Sequence, residues 1–337
     1  YMSGAVQVSP HHPVLIDKYL EGREIEVDAI CDGTEILIPG IMEHVERAGV
    51  HSGDSIAVYP SRTISEEIKK QVLDYTRRIA NELQVRGLLN IQYVVHEEKL
   101  YIIEVNPRAS RTVPYLSKVT GVPMVKVATE AILGKSLVEQ GYTPGYWPES
   151  HFYAVKVPVF SFNKLIDVET SLGPEMKSTG EVLGVAEDYH TALNKGLLAA
   201  GLDLRRGPKT VLLSVGDMGK PELGLVVSEL QGLGYQFLAT PGTASWLQER
   251  GVAVTEVPKE VGPTSPVMSL LRQGEVGLVV NTTTRGRTPE RFGFRLRRRC
   301  AELGIPCFTS LDTVVAALEA ARLSVQEPQV KALQGYV

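Results

Sequence analysis

From residue 209 onward the chain alternates short apolar runs with helical stretches, and this alternation restricts the fold more than any other feature of its 337 residues. The runs are "TVLLSVG", "YQFLATPG", "VAVTEV", "VGLVVNTTT" and "PCFTS". Between them lie "PELGLVVSELQGLG", "TASWLQERG", "FRLRRRCAELG" and "LDTVVAALEAARL". Strand, helix and strand in repetition predict a parallel sheet with helices on both faces. Ligands of such sheets bind beyond the carboxyl ends of the strands. Those ends carry Ser214, Thr240, Gly242, Thr243, Asn281, Thr282 and Thr283. Hydroxyls, an amide and a glycine beside helix N-termini suit a phosphate, and the same groups serve as helix caps.

The first part, about residues 1–135, mixes strands and helices. Residues 24–44, "EIEVDAICDGTEILIPGIMEH", predict a two-strand meander turning at Asp32 and Gly33. Residues 65–83 place Ile68, Val72, Tyr75, Ile79 and Leu83 on one helix face, with Ser65 at its start. Residues 122–134 form a second helix that stops at glycine. The stretch 136–205 reads as looser, with one helix in "YHTALNKGLLAAG". The start, "AVQVSPHHPVLIDKYL", has an alternating strand and no initiating methionine, as if entering the middle of a domain. His11 and His12 there have no matching cluster and are not expected to hold a metal.

The segment "NIQYVVHEEKLYIIEVNPRASRT", residues 90–112, predicts a β-hairpin with an unusual polar edge. Glu104 and Asn106 are two apart and share one face of a strand. Gln92 joins them if the hairpin loop holds an odd number of residues, for instance 97–99; an even loop puts it on the other face. Three oxygen-bearing side chains at one spot suit a hard cation with phosphate oxygens. Arg108 and Arg111 follow at once and supply planar donors for an anion. The competing reading is a strand end with ordinary solvated polar residues.

Net charge is −4, so no general attraction to nucleic acid is expected. No apolar run is long enough to span a membrane. Cys31, Cys300 and Cys307 lack metal spacing and fit a reduced, cytoplasmic setting. Cys300 and Cys307 bracket a helix end and a strand, which reads as core thiols rather than a redox pair. "GDMGKPE" is no Walker-type loop, and no G-x-G-x-x-G follows a strand. The basic run "RLRRR", 295–299, reads as a solvated helix face rather than a nucleic-acid patch.

"DAICDGTEILIPGIMEHVERAGVHSGDS" and "IIEVNPRASRTVPYLSKVTGVP" together resemble the large subunit of carbamoyl phosphate synthetase, in its second ATP-grasp unit. "GPEMKSTGEV" resembles the segment that follows, and the tail from about 206 resembles the family's regulatory domain, related in fold to methylglyoxal synthase. The resemblance implies an α/β and α+β chain: the C-terminal lobe of an ATP-grasp unit, 1–140, its remainder and connection, 141–205, and a parallel-sheet, Rossmann-like allosteric domain, 206–337.

It further implies ATP as substrate, with Mg²⁺ or Mn²⁺ held by Gln92, Glu104 and Asn106. Lys18 and Leu20 match the adenine hinge, Glu24 the acid near the ribose, and Gly49, Val50, His51 and Ser52 the loop lining the nucleotide. Arg108 and Arg111 match catalytic groups at carbamate and the transferred phosphate. The implied reaction phosphorylates carbamate to carbamoyl phosphate, for pyrimidine and arginine synthesis. Lys220, Thr240, Thr243, Lys259, Asn281 and Thr283 match the pocket of a nucleotide effector, UMP or IMP. The implied partners are a glutamine amidotransferase small subunit and the N-terminal part of the large subunit, with room for an oligomer through the C-terminal domain.

Departures limit these implications. The family's unit begins before Tyr1 with a phosphate-covering loop, so this chain alone is expected to be inactive. Glu46 and Asp54 match acids that bind ornithine in some members, but Val157 and Cys307 argue against such a site here. Two readings compete with the synthetase: a stand-alone nucleotide-binding regulatory module, and an active methylglyoxal synthase, for which Asp217 alone is weak support.

Overall fold

The alternation of "REIEVDAICD" makes β1 (Arg23–Asp32) the spine of a first sheet. Its odd-numbered residues Ile25, Val27, Ala29 and Cys31 pack with Leu89, Ile91, Tyr93 and Val95 of β5 (Arg86–His96) into one apolar cluster. The helix α1 (Glu66–Glu82) closes that cluster through Ile68, Val72 and Ala80. Each fully buried aliphatic there contributes about 1.5–3 kcal/mol. Ser65 caps α1 by accepting the Ile68 N–H. The buried stripe runs Ile68, Val72, Thr76, Ala80, so Leu83 turns outward and is exposed. The computed structural model describes residues 16–164, 168–260, 262, 265–282, 291–324 and 329–336. The strand expected near Val6 and the His11–His12 pair lie outside the described residues.

The first sheet runs β6 (Lys99–Asn106), β5, β1, β3 (Ile41–Arg47), β4 (Ala57–Tyr59), β8 (Tyr153–Val159), β9 (Gly180–Ala186). Two short strands, β2 (Ile36–Ile38) and β7 (Gly145–Tyr146), join it off this path. The expected two-strand meander is therefore three strands. Its first turn is set by Asp32, whose carboxylate accepts the N–H groups of Thr34 and Glu35. Gly33 stands at φ +97° there, where a side chain would be strained. Residues 136–205 are less loose than expected, because they supply β7, β8, β9 and the helix α4 (Tyr189–Ala199). Two helices, α2 (Val113–Thr120) and α3 (Met124–Ile132), cover the far end of the sheet's second face. The sequence reading missed α2.

The second sheet is parallel throughout, in the order β12 (Thr255–Glu256), β11 (Gln236–Ala239), β10 (Thr210–Ser214), β13 (Leu278–Asn281), β14 (Cys307–Phe308). Its helices are α5 (Lys220–Gly232), α6 (Pro241–Gln248), α7 (Pro266–Arg272), α8 (Phe292–Leu303) and α9 (Leu311–Leu323). The alternation predicted all of these except α7. One apolar core joins the two sheets, with Val155 and Val157 of β8, Leu193 and Leu197 of α4, Val211 and Leu213 of β10, and Val314 and Leu318 of α9.

The basic run on α8 is not a solvated face. Arg297 and Arg298 are buried. Arg297 binds both oxygens of Glu169, at 2.9 and 2.6 Å, and reaches Asn281 Oδ1 at 2.6 Å. Arg298 donates to the Phe162 carbonyl. A bidentate carboxylate offsets the desolvation of a guanidinium, which permits its burial.

Candidate functional site

The hairpin of β5 and β6 has an even loop, not an odd one. His96 pairs with Lys99, leaving Glu97 and Glu98 as a two-residue turn, both at positive φ. By loop parity alone, Gln92 and Glu104 belong on opposite faces. A β-bulge restores them: Tyr93 pairs with Ile102 but Gln92 pairs with Glu104, so Ile103 is the extra residue. Bulges of this kind re-aim side chains beside functional sites. With the register shifted, two rows cross the three strands. Glu26, Gln92 and Glu104 form one; Asp28, Asn90 and Asn106 form the other.

The β1 end of these rows is buried and fully bonded. Asn90 Nδ2 donates to Glu26 Oε1 at 2.8 Å and to Asp28 Oδ1 at 3.0 Å. Ser110 and Thr112, at the entry to α2, donate to Asp28 Oδ2 at 2.7 and 2.6 Å. Burial first, and then the charge of Glu26, raise the Asp28 carboxyl to about 7, against the pull of those hydrogen bonds. His44 lies between two acids, 3.5 Å from Glu24 and 3.4 Å from Glu26. Its Nδ1 makes no well-formed hydrogen bond, so the Glu24 contact is ionic rather than directional. Burial opposes the charged imidazole, but the two acids outweigh it and raise His44 to about 9.

The β6 end opens on a cavity of about 190 Å³. Gln92, Glu104, Arg108, Arg111, His51 and Ser52 line it, as do Glu26, Asn90 and Lys156. Gln92 Nε2 donates to Ser52 Oγ at 3.1 Å, which orients its amide. The buried ammonium of Lys156 donates to the Ser52 carbonyl at 2.9 Å. Burial is the main cause of its lowered pKa, against the charges of Glu26, Glu181, Glu46 and Asp54. Glu104 is exposed at the mouth and, among the described residues, makes no hydrogen bond or ion pair. Asn106 does not line the cavity; its Nδ2 reaches Asn90 Oδ1 at 3.4 Å.

Lys18 and Leu20, expected at an adenine hinge, do not line this cavity. Tyr19, between Lys18 and Leu20, donates to the Ala48 carbonyl at 2.7 Å and packs at Gly49. That contact pins the segment carrying Lys18 and Leu20 to the loop carrying Gly49 and Val50. Glu24 is buried against His44 and is not a lining residue. The sequence reading missed Glu26, Asp28, Asn90, His44 and Lys156. One signal was present: Glu24, Glu26 and Asp28 alternate along one strand face.

The donor set fits a hard cation. Gln92 and Asn106 use their amide nitrogens as donors, so their oxygens remain for coordination, beside the unpartnered Glu104 carboxylate. Among the described residues no three His, Cys, Asp or Glu side chains gather as a metal site.

At the second sheet, the structure brings Thr240, Thr243 and Asn281 together at the strand ends. Thr243 Oγ1 accepts the Val215 N–H at 3.0 Å, Thr240 Oγ1 donates to Ser214 Oγ at 3.3 Å, and Asn281 Nδ2 donates to the Ser214 carbonyl at 3.1 Å. All three are buried. Lys220, the first residue of α5, is 2.6 Å from Asp217. Its ammonium also faces Gly242, where a Cβ would lie 3.9 Å away. Asp217 is held below the usual carboxylate range by Lys220 first and, more weakly, by exposed Lys259. Thr283 lies outside the described residues. Arg297, which reaches Asn281, was missed.

A larger cavity of about 340 Å³ lies between the sheets, lined by Glu46, Asp54, Val157, Arg297, Cys300 and Cys307 among others. Its two acids are already engaged. Glu46 accepts the Ile56 N–H at 2.7 Å and the Thr313 hydroxyl at 2.8 Å. Asp54 accepts the N–H groups of Lys177 and Ser178.

Fold and cavity define an ATP-grasp-type unit followed by a small parallel α/β domain. Residues 2–140 match the family described as "Carbamoyl-phosphate synthase L chain, ATP binding domain", and residues 222–309 match the MGS-like domain. These two stretches belong to those families, and their order is that of the C-terminal part of a carbamoyl phosphate synthetase large subunit. Among solved structures, the chain is similar to a biotin carboxylase domain of a single-chain bacterial carboxylase, at 16% identity and TM-score 0.43 over 59% of this chain and 55% of that one. It is also similar to a single-chain, multi-domain long-chain acyl-CoA carboxylase, at 16% identity and TM-score 0.44 over 58% of this chain and 25% of that one. The chain thus spans about half of the one and a quarter of the other. Among the described residues no helix is long and apolar enough to cross a membrane.

Proposed function

We propose that the first sheet holds the phosphates of ATP and transfers the terminal phosphoryl group to carbamate, giving carbamoyl phosphate. The observation that carries this reading is the bulged register that sets Gln92 against Glu104 at one cavity with Arg108 and Arg111. Gln92, Glu104 and Asn106 would hold Mg²⁺ or Mn²⁺, which would neutralise phosphate charge when bound. Arg108 and Arg111 present planar donor pairs to the carbamate carboxylate and to the phosphoryl oxygens. Ser52 fixes the Gln92 amide, and the Glu26–Asn90–Asp28 network fixes the strand beneath it. Phosphoryl transfer asks for such positioning and charge balance more than for covalent chemistry. Lys18 and Leu20 are assigned to the adenine and Glu24 to the ribose side.

In the second domain, Lys220 and Lys259 supply charge to a nucleotide monophosphate, UMP or IMP, over the rim of Thr240, Thr243, Asn281 and Thr283. Binding without turnover is the role assigned to this domain. An N-terminal large-subunit part and a glutamine amidotransferase small subunit are the proposed partners.

The test is ATP formation from ADP and carbamoyl phosphate by this chain assembled with the N-terminal part of the large subunit. Glu104→Ala and Arg111→Ala should each abolish most of it. Undiminished ATP formation by either variant overturns the assignment.

A further inference from the structure

The cavity between the two sheets carries two thiols on one wall, Cys300 and Cys307. Cys300, near the end of α8, has no exposed surface, whereas Cys307 opens β14 and is half-buried. The chain leaves α8 through Gly304 in the left-handed region, and the Ile305 N–H returns to the Cys300 carbonyl at 2.9 Å. That tight return sets the two side chains together, and both pack in one apolar cluster with Leu296 and Val279. The neighbouring Cys307 thiol, with burial, keeps the Cys300 proton well above the usual thiol range, while Arg297, one turn back on α8, pulls the other way. Cys31 sits elsewhere, in the first-sheet cluster, its thiol pushed up to about 12 by burial first and Asp32 second.

We propose that Cys307 and Cys300 form a peroxide-reactive dithiol, in which Cys307 is the attacking sulfur and Cys300 the resolving one. Reactivity follows thiolate character and access, and of the two only Cys307 has accessible surface in the cavity wall. The Cys307 thiolate attacks one oxygen of hydrogen peroxide. The O–O bond breaks, the departing hydroxide takes up the proton that Cys307 released, and Cys307 is left as a sulfenic acid. The Cys300 sulfur then attacks the Cys307 sulfur. The S–O bond breaks, and the Cys300 proton leaves with that oxygen as water. Two thiols and one peroxide yield one disulfide and two waters, so no second oxidant is required. The new bond ties the end of α8 to β14, one turn from the Arg297 that holds Glu169 and Asn281.

The test exposes the full chain to hydrogen peroxide, alkylates the remaining thiols and maps non-reduced peptides. The expected product is a peptide linked through Cys300 and Cys307, with Cys31 alkylated. In Cys300→Ser, Cys307 should accumulate as a sulfenic acid captured by dimedone. In Cys307→Ser, Cys300 should remain alkylatable. Wild-type protein in which Cys307 overoxidises while Cys300 stays free, or in which neither thiol reacts, overturns the proposal. The wild-type map decides on its own if a variant fails to fold.

Discussion

Beneath the first cavity lies a network of carboxylates and an imidazole; the rim of the second sheet is made of hydroxyls and amides. The first is set mid-strand on β1 and β3 and the second at strand ends, and both are buried. On the first sheet, Glu24, Glu26, Asp28 and His44 are held within one network, and Glu104 has no partner among the described residues. On the second, Thr240, Thr243 and Asn281 bond to Ser214 and Val215, and Lys220 and Lys259 stand outside them. A low-dielectric floor of interacting charges suits stabilising charge that develops during reaction. A rim whose bonds are already made suits reversible capture of a preformed anion. The difference is the one the proposed function asks of a reactive site and a binding site.

The comparison breaks most visibly at Glu104. Glu104→Ala should lower the rate of carbamate phosphorylation by about 10²–10³-fold, the range for losing one preorganised charge-stabilising group. Because the side chain is exposed and has no partner among the described residues, stability should move by no more than about 0.5 kcal/mol. Steady-state rates set beside urea unfolding check both halves; a large stability loss would make Glu104 structural.

The charged floor should also show in the pH dependence of stability. His44 has a folded value of about 9 against an ordinary 6.5. Its stabilisation is therefore complete below pH 6.5 and is lost as pH rises through 9. The total is up to about 3 kcal/mol, at about 1.4 kcal/mol per pH unit where the slope is steepest. Asp28, raised from 3.8 to about 7, acts in the same direction at lower pH, since its protonated form is favoured in the folded state. Thermal unfolding from pH 6 to 9 should thus show falling stability, and His44→Gln should flatten the upper part. A wild-type curve that stays flat across that window contradicts the ionised-floor description.

The neutral rim predicts smaller effects. Thr243→Val leaves the Val215 N–H without its acceptor and should cost about 1–3 kcal/mol of stability, with little pH dependence. Denaturant midpoints at two pH values test it, and a strongly pH-dependent loss would count against a neutral rim. Lys259→Ala should weaken monophosphate binding by only about 1 kcal/mol, because its ammonium is exposed and screened by salt. Calorimetric titration at low and high salt should show the wild-type advantage shrinking as salt rises.

The parallel sheet was legible because each of its strands is a short apolar run closed by turn residues, a local signal. The polar edge of the hairpin was legible in type but not in register. Loop parity was readable, yet "HEEK" contains neither Gly nor Asn to announce the two positive-φ turn residues Glu97 and Glu98. The bulge at Ile103 is a cross-strand event that no local pattern reports. Glu26 and Asp28 repeat the period of Glu24 and were readable from β1 alone. His44 and Lys156 reach the same network from other strands, so only the fold brings them in. Arg297 was misread for the same reason: its partner Glu169 lies 128 positions away.

The account stands most directly on whether the two sites are separate. Calorimetry on the full chain, with ATP and Mg²⁺ in one series and UMP or IMP in the other, gives that answer when wild type, Glu104→Ala and Lys220→Ala are compared. The account predicts that Glu104→Ala weakens ATP binding and leaves the monophosphate unchanged, and that Lys220→Ala does the reverse. Either substitution weakening both ligands equally, or neither, contradicts it.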